Sequence, residues 1–228
     1  LLIGYDGRLS SPWLEQALAE GASESGQNVL CIGLGPTPLL YYAVHKLDAA
    51  GGIMVTGSHN PPNYNGFKFM RGKKALYGEE IKKIGQRILD GFFTEGKGNI
   101  GYQSVFGDYI EELVKGYRPH FGQKLKIAWD PGNGATGEVI EALTHLIPGD
   151  HFLINEKIDG SFPSHHPDPS VIENLAQLKD IVLKNKCDLG IAFDGDGDRL
   201  GVIDNKGNAL LGDQILLLLS RHLLKDNP

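Results

Sequence analysis

Three aspartates alternate with glycine in the stretch "FDGDGDR", directly after an apolar run. Asp194, Asp196 and Asp198 stand at positions i, i+2 and i+4, which share one side of an extended segment. The two glycines between them let the backbone curl further, so all three carboxylates can converge. Such carboxylates repel one another unless a cation neutralises them, and hard oxygen ligands favour Mg²⁺. The stretch therefore predicts a divalent metal site.

Taken by itself, this loop allows several interpretations. An EF-hand loop beginning at Asp194 would need Gly at its sixth position and Glu at its twelfth, but Arg199 and Asn205 stand there. A phosphatase could use Asp194 as a nucleophile towards phosphorus. The aspartates could instead hold a cation that also binds a phosphorylated side chain, with Arg199 as a cationic donor. A solvated acidic turn is the remaining alternative.

A second stretch, "MVTGSHNPPNYNGFKF", places a serine just after an apolar strand. Gly57 releases the backbone from the strand, and Pro61 and Pro62 stiffen the following turn. Such a loop can hold the Ser58 hydroxyl outward in a fixed pose. His59 invites a Ser-His hydrolase interpretation, but adjacent residues rarely align as nucleophile and base, and G-x-S-x-G is absent.

The sequence "GNGATG", residues 132–137, matches G-x-G-x-x-G between a strand and a helix. Taken alone it favours dinucleotide binding, but an intervening Asp-Pro pair spoils the tight turn of that fingerprint.

Two other pairs invite a functional interpretation. His165 and His166 resemble a metal pair, but no further ligands follow at zinc spacing, so a structural loop at a domain seam is expected. Asp6 and Arg8 in "YDGR" are expected to form a turn or a domain-bracing ion pair.

Composition restricts the class of protein. The chain has 228 residues, 41% of them hydrophobic and 22% charged, which is ordinary for a globular protein. Its net charge of -6 argues against a nucleic-acid partner. No secretory signal opens the chain, and no apolar run has the length of a membrane span. Cys31 and Cys187 are expected to be buried thiols, which together with the missing signal points to the cytoplasm.

Short apolar strands alternate with amphipathic helices, which is typical of α/β proteins. We expect two consecutive α/β domains with mixed sheets flanked by helices, over residues 1–104 and 105–207. Residues 208–228 are expected to begin a third, truncated domain with a strongly apolar helix. Ser11 and Thr37 are expected to cap two helices. The basic run Lys68–Arg87 is expected to be the solvated face of another helix.

Together these residues resemble a known family. "TGSHNPPNYNGFK" is similar to the active-site serine loop of the α-D-phosphohexomutases, and "FDGDGDR" to their metal loop. The serine loop is closest to that of bacterial phosphomannomutase/phosphoglucomutase. "YDGRLSSP", "GPTPLLYYAV", "DPGNGATG" and "DGSFPSHHPDP" are similar to that branch in the same order, so the resemblance covers the whole chain.

The resemblance implies reversible phosphoryl transfer between the 1- and 6-hydroxyls of a hexose, mannose or glucose, through a phosphoserine and a bisphosphorylated sugar. It implies that Ser58 is the phosphorylated residue and that the remaining active-site residues are His59, Lys68 and Arg199. One Mg²⁺ would be bound by Ser58 and the three aspartates of the metal loop. Hexose 1,6-bisphosphate would be the activator.

Several motifs of that family are absent from the sequence. They are the N-terminal "R-x-Y-D-x-R-G" segment, the sugar-recognition motif "G-E-x-S-G-H" and a C-terminal phosphate loop. We therefore expect the first half of a four-domain, monomeric enzyme, whose partners are a hexose phosphate and the missing C-terminal domains, and little turnover from this chain alone. The alternatives are a non-catalytic structural or binding fragment and, less favoured, an aspartyl-nucleophile phosphatase.

Overall fold

Two mixed β-sheets with helices on their faces make up the protein, which confirms the expected α/β class. The computed structural model describes residues 1–117 and 124–226. The domain boundaries after residues 104 and 207 stay predictions. So does the third domain over 208–228, which is described only up to residue 226.

The first sheet contains six strands: β1 (Leu2–Tyr5), β2 (Val29–Leu34), β3 (Gly51–Val55), β4 (Phe67–Arg71), β5 (Lys74–Ala75) and β6 (Ile100–Tyr102). Their order across the sheet is β5-β4-β3-β1-β2-β6. β1, β2, β3 and β6 are parallel, whereas β4 and β5 extend the sheet beyond β3 in antiparallel fashion. Three helices accompany this sheet: α1 (Ser11–Glu24), α2 (Thr37–Lys46) and α3 (Glu79–Leu89). Helix α4 (Phe106–Gly116) contacts both α2 and the first helix of the second sheet.

The second sheet contains five strands: β7 (Lys126–Asp130), β8 (Asp150–Leu153), β9 (Leu189–Phe193), β10 (Leu200–Asp204) and β11 (Ala209–Leu210). Their order is β11-β10-β9-β7-β8, with β7, β8 and β9 parallel and β10 and β11 antiparallel. Its helices are α5 (Gly137–Thr144), α6 (Ala176–Asn185), which follows a 3-10 turn, and α7 (Gly212–Asp226).

The two sheets repeat one arrangement of strands. In each, a central strand (β1 or β7) lies between two parallel neighbours, and the third parallel strand (β3 or β9) continues into an antiparallel hairpin. The serine loop joins β3 to β4, and the aspartate loop joins β9 to β10. The two loops of chemical interest therefore leave equivalent strands of two similar sheets.

Packed helices fix the strands from which these loops leave. On the first sheet, Leu40 and Val44 of α2 pack in one buried cluster with Met54 of β3. On the second, Leu178 and Val182 of α6 pack with buried residues of β7 and β9. Burying each such side chain contributes about 1.5–3 kcal/mol. Each loop is thus anchored on the buried end of a strand.

The prediction of one solvated helical face over Lys68–Arg87 is wrong for its first part. Residues 67–75 form the hairpin of β4 and β5, because the alternating Phe67, Phe69 and Arg71 pair with β3. Only α3, from Glu79 onwards, is helical, and it buries no side chain.

Helix α7 exposes most of its leucines. Leu216, Leu217, Leu218 and Leu219 are each more than half exposed, whereas Ile215 is buried. Within residues 1–117 and 124–226, no helix is both long and apolar enough to cross a membrane.

Candidate active site

The hydroxyl of Ser58 lies against the aspartate loop of the other sheet. Its Oγ donates a hydrogen bond of 2.8 Å to Oδ2 of Asp194, 136 positions further along the chain. The sequence predicts an outward hydroxyl, but Ser58 is only 8% exposed because the aspartate loop covers it. A serine oxygen and the predicted metal loop are therefore in direct contact.

Ser58 is held in an unusual backbone conformation. Its φ of 50° lies in the left-handed region, where a residue with a Cβ is stable only if its surroundings hold it. Its N–H donates to Oγ1 of Thr56 at 2.8 Å, and that hydroxyl donates to Asp6 at 2.8 Å. Asp6 also accepts hydrogen bonds from Ser11 at 2.6 Å and from the N–H of Gly57 at 3.2 Å. Strands β1 and β3 thus hold the serine jointly.

The three aspartates converge, as predicted, but on a turn rather than on an extended segment. The N–H of Gly197 donates to the carbonyl of Asp194 at 3.0 Å, and Gly197 has a φ of 71°, which glycine adopts without strain. One oxygen from each of the three carboxylates lies within 4.8 Å of the other two. Asp194 and Asp196 are fully buried, and the side chain of Asp198 is 27% exposed. Negative charge is therefore concentrated beside Ser58.

Lys68 on β4 forms ion pairs with two of these carboxylates. Its Nζ lies 2.6 Å from Oδ2 of Asp196 and 2.6 Å from Oδ2 of Asp198. Burial would lower the pKa of Lys68, but the two carboxylates outweigh it and raise that pKa. Burial would also raise the pKa of Asp196, but Lys68 outweighs it and holds the pKa below its usual value. Lys68 is therefore a fixed positive charge within the cluster.

Thr37, the first residue of α2, forms hydrogen bonds to the aspartate loop. Its N–H donates to the carbonyl of Asp196 at 2.8 Å, and its hydroxyl donates to Oδ2 of the same residue. The helix cap expected of this hydroxyl is absent. Sequence reasoning missed Thr37 as a site residue; the only signal was its place in "GPTPLLYYAV", one of the motifs carrying the family resemblance.

The cluster suits a hard divalent cation. Burial, followed by the charge of Asp196, raises the pKa of Asp194 to about 7. Oδ1 of Asp196 is buried and has no hydrogen-bond partner among the described residues. A cation bound here would satisfy that oxygen and relieve the repulsion between the carboxylates. The residues present therefore fit Mg²⁺.

His59 and Arg199 face each other across the two loops. An N–H of Arg199 donates to Nδ1 of His59 at 2.8 Å, whereas Oγ of Ser58 is 3.4 Å from the same nitrogen. Because Arg199 occupies this lone pair, His59 is poorly arranged as a base for Ser58. The geometry therefore disfavours a Ser-His hydrolase.

The glycine-rich turn "GNGATG" supports the aspartate loop. The N–H of Ala135 donates to the carbonyl of Gly195 at 2.9 Å, and that of Asn133 donates to the carbonyl of Asn155 at 2.8 Å. These N–H groups are committed to the protein and are not open to a pyrophosphate, which agrees with the interpretation against dinucleotide binding.

His165 binds a carboxylate of its own sheet. Its Nε2 lies 2.9 Å from Oδ2 of the buried Asp130, and its Nδ1 lies 3.0 Å from the carbonyl of His166. Because both partners are acceptors, both nitrogens carry protons, and the bond to Asp130 raises the pKa of His165. Among the described residues, the one group of potential metal ligands is the aspartate cluster, and it contains neither histidine.

Comparisons with known proteins identify the family. Residues 1–95 match the family model "Phosphoglucomutase/phosphomannomutase, alpha/beta/alpha domain I", and residues 107–207 match the corresponding domain II. The chain belongs to the phosphoglucomutase/phosphomannomutase family. This confirms the resemblance drawn from the serine and aspartate loops.

Relatives within this family match the whole chain. It is 42% identical over 226 residues to the phosphomannomutase/phosphoglucomutase of Pseudomonas syringae, covering 99% of this chain and 48% of that protein. It is 39% identical over 230 residues to the phosphoglucomutase of Neisseria meningitidis serogroup B, covering 100% and 50%. A crystal structure of a phosphoglucomutase/phosphomannomutase family protein from Burkholderia thailandensis has a TM-score of 0.92 and 37% identity, covering 100% and 51%. The chain thus spans about half the length of the relatives it matches.

Proposed function

We propose that this chain carries the phosphoserine and metal half of a phosphohexomutase. The reaction is reversible phosphoryl transfer between the 1- and 6-hydroxyls of a hexose, mannose or glucose, through Ser58 and a bisphosphorylated sugar. The contact of 2.8 Å between Oγ of Ser58 and the aspartate cluster carries the proposal. A cytoplasmic location is included because both described cysteines are buried and free.

The proposed step forms a bond between Oγ of Ser58 and phosphorus while the bond from phosphorus to a sugar oxygen of hexose 1,6-bisphosphate breaks. The hydroxyl proton of Ser58 already points at Oδ2 of Asp194, which leaves a lone pair of Oγ for the phosphorus. The hydroxyl proton of Ser58 passes to Oδ2 of Asp194, and the departing sugar oxygen takes a proton from Lys68 and leaves as a free hydroxyl. His59, whose Nδ1 accepts from Arg199, contacts the oxygens of the transferred group in this proposal. In the other half of the reaction the phosphoserine transfers its phosphoryl group to the free hydroxyl of a hexose monophosphate. The bisphosphate formed then reorients, so that its other phosphoryl group returns to Ser58.

Positive groups around Ser58 suit the charge of this step. A phosphoserine carries a charge of about -1.5 to -2, next to three carboxylates. Lys68 and Arg199 bring fixed positive charge from two sides of the serine. Mg²⁺, held by Ser58, Asp194, Asp196 and Asp198 in this proposal, supplies further charge neutralisation when bound.

Phosphorylation of the chain by a hexose bisphosphate tests the proposal directly. The purified chain is incubated with glucose 1,6-bisphosphate and Mg²⁺, and its intact mass is measured. We expect the mass of one phosphoryl group to be added, and fragmentation to locate it on Ser58. Ser58→Ala should abolish the label. The control Ser25→Ala, between α1 and the start of β2 and so at the other end of the parallel strands, should keep it. A wild-type chain that gains no phosphate, or that gains it elsewhere, would contradict the phosphoserine role.

The aspartyl phosphatase is the weaker candidate. Oδ1 of Asp194 accepts the N–H of Arg199 at 3.0 Å and Oδ2 accepts Ser58, so both of its oxygens are engaged. Burial, followed by the charge of Asp196, also raises the pKa of Asp194, which disfavours the charged carboxylate that a nucleophile needs. If Ser58→Ala kept hydrolysing a phosphate ester at the wild-type rate, the phosphatase would be favoured over the mutase.

A further inference from the structure

Arg8 lies beneath the serine loop with its side chain fully buried. Its guanidinium donates to four backbone carbonyls of that one loop. The distances are 2.7 Å to Ser58, 2.7 Å to Asn60, 2.6 Å to Pro61 and 2.9 Å to Tyr64. Four carbonyls of a seven-residue stretch thus converge on one planar cation.

The fifth donor of the guanidinium is also engaged. Nε of Arg8 lies 3.2 Å from Oδ2 of Asp6, the carboxylate that also accepts the N–H of Gly57. All five N–H groups of Arg8 therefore have acceptors, which is the full capacity of an arginine. A buried charge satisfied in this way cannot move without leaving groups unpaired, so the loop is fixed relative to β1.

The packing around the guanidinium is equally close. A Cβ added at Gly57 would lie 2.5 Å from Cζ and Nε of Arg8, nearer than real Cβ contacts allow. The ring centroid of Phe162, in the loop that follows β8, also lies 5.2 Å from Cζ, within the range of a cation–π contact. Arg8 therefore joins the serine loop to both sheets.

Ser58 needs such support. Its left-handed backbone conformation persists only where the surroundings determine it, and its own carbonyl is one of the four bound by Arg8. Without that bond the left-handed conformation in which Oγ reaches Asp194 would lose one of the contacts that hold it. The orientation of the hydroxyl is thus coupled to a residue that does not touch it.

We propose that Arg8 is a positioning residue, which holds the backbone of the serine loop so that the hydroxyl of Ser58 meets the aspartate cluster. This inference rests on the proposed phosphoserine role of Ser58. It assigns to Arg8 a large effect on the rate of Ser58 phosphorylation and a smaller effect on metal binding, because Ser58 is only one of the four proposed ligands.

The test measures the initial rate of phosphorylation by glucose 1,6-bisphosphate for each variant, with Mn²⁺ binding followed in parallel by electron paramagnetic resonance. We expect Arg8→Ala to slow phosphorylation on the order of 100-fold, because a displacement of about 1 Å at a reacting atom has that effect. Arg8→Lys keeps the charge but has only three N–H donors, so its phosphorylation rate should lie between those of wild type and Arg8→Ala. Arg71→Ala, which removes an exposed arginine of β4, is the matched control and should react at the wild-type rate.

Added guanidinium distinguishes positioning from general destabilisation. Millimolar guanidinium should restore part of the rate of Arg8→Ala by occupying the emptied site, while sodium chloride at the same ionic strength should not. A role limited to overall stability would give no such rescue, and its absence in a folded Arg8→Ala would contradict the inference.

A double-mutant cycle keeps the test decisive if Arg8→Ala folds poorly. Gly57→Ala should slow phosphorylation in the wild-type background because its methyl group displaces the guanidinium, and should slow it less in the Arg8→Lys background. Equal effects of Gly57→Ala in both backgrounds, or Arg8 variants that react at the wild-type rate, would overturn the proposed role of Arg8 but not the proposed function. A wild-type chain that is never phosphorylated would overturn the proposed function and this inference together.

Discussion

Asp196 carries the clearest single sign of a missing partner at the residue scale. Its Oδ2 accepts Thr37 and Lys68, while its buried Oδ1 accepts no hydrogen bond from the described residues. A buried unpaired oxygen costs about 1–3 kcal/mol, so a ligand that satisfies it is strongly favoured. This argument concerns one atom, and it predicts metal binding independently of the family resemblance.

Replacing Asp196 by Asn should therefore weaken metal binding. We expect the affinity for Mn²⁺, measured by isothermal titration calorimetry, to fall by at least about tenfold, because a charged ligand becomes neutral. Asp180→Asn changes the same charge on the exposed surface of α6 and should leave the affinity unchanged. Equal affinities for Asp196→Asn and wild type would show that the metal binds elsewhere.

Thr37 and Thr136 allow a buried hydroxyl with a hydrogen bond to be compared with one that lacks such a bond in the described part of the chain. Both threonines are buried, but the hydroxyl of Thr37 binds Asp196 whereas that of Thr136 has no partner among the described residues. Thr37→Val should lower the free energy of unfolding by about 1–3 kcal/mol, and Thr136→Val should leave it unchanged or raise it slightly. Urea denaturation measures both. Similar losses for the two variants would mean that packing, and not the hydrogen bond, determines the effect.

At the scale of elements, the sequence predicted the alternation of strands and helices but misassigned two hydroxyls. Ser11 and Thr37 stand where helix caps are expected, yet neither helix has a side-chain cap, and their hydroxyls bind Asp6 and Asp196 instead. Local propensity identifies the start of a helix, but it cannot show that a carboxylate elsewhere in the fold accepts the hydroxyl proton and so orients the hydroxyl away from the helix N–H groups. The short strands of the hairpin at 67–75 were missed for a related reason, since their pairing with β3 is a tertiary contact.

The loop that follows β8 should make stability depend on pH. His165 joins this loop to Asp130 at the end of β7, and its pKa is raised above the unfolded value of about 6.5. The stabilisation is therefore complete below about pH 6.5 and is lost as the pH rises through the folded-state pKa.

The substitution His165→Asn should accordingly destabilise the protein most at acidic pH. We expect it to lower the free energy of unfolding by about 1–2 kcal/mol at about pH 5.5, and by clearly less at about pH 9. Thermal unfolding monitored by circular dichroism at both pH values provides the measurement, with His45→Asn, an exposed residue of α2, as the control. A loss that is the same at both pH values would indicate a role in packing only.

At the scale of the whole molecule, the sequence predicted an α/β chain in two cycles, and the two sheets do repeat one strand arrangement. Periodicity could not predict that the loops after β3 and β9 would face each other, because nothing local records the distance between residues 58 and 194. The chemistry of the two loops gave this expectation as one of several alternatives, and the family resemblance favoured it. The hydrogen bond between Ser58 and Asp194 now gives it a physical basis.

The length of the chain leads to a prediction about turnover. Because it spans about half of its relatives, we expect mutase activity at least on the order of 100-fold below that of the Pseudomonas syringae relative, since groups that orient the sugar contribute much of the rate. A coupled assay with glucose 1-phosphate and a bisphosphate primer, run on both proteins, measures this. Turnover of the isolated chain equal to that of the relative would contradict it.

The repeated strand order also bears on how this protein could be rebuilt. Ser58 and the three carboxylates lie on loops that follow equivalent strands of separate sheets, so a chimera that takes one sheet from a relative would contain only one side of the contact between them. The two sheets would pack in the same relative position only if the grafted sheet kept two contacts. These are the contact of Phe162 with Arg8 and the hydrogen bond from Thr37 to Asp196. Any redesign must therefore preserve the contacts between the two sheets as well as the residues within each sheet.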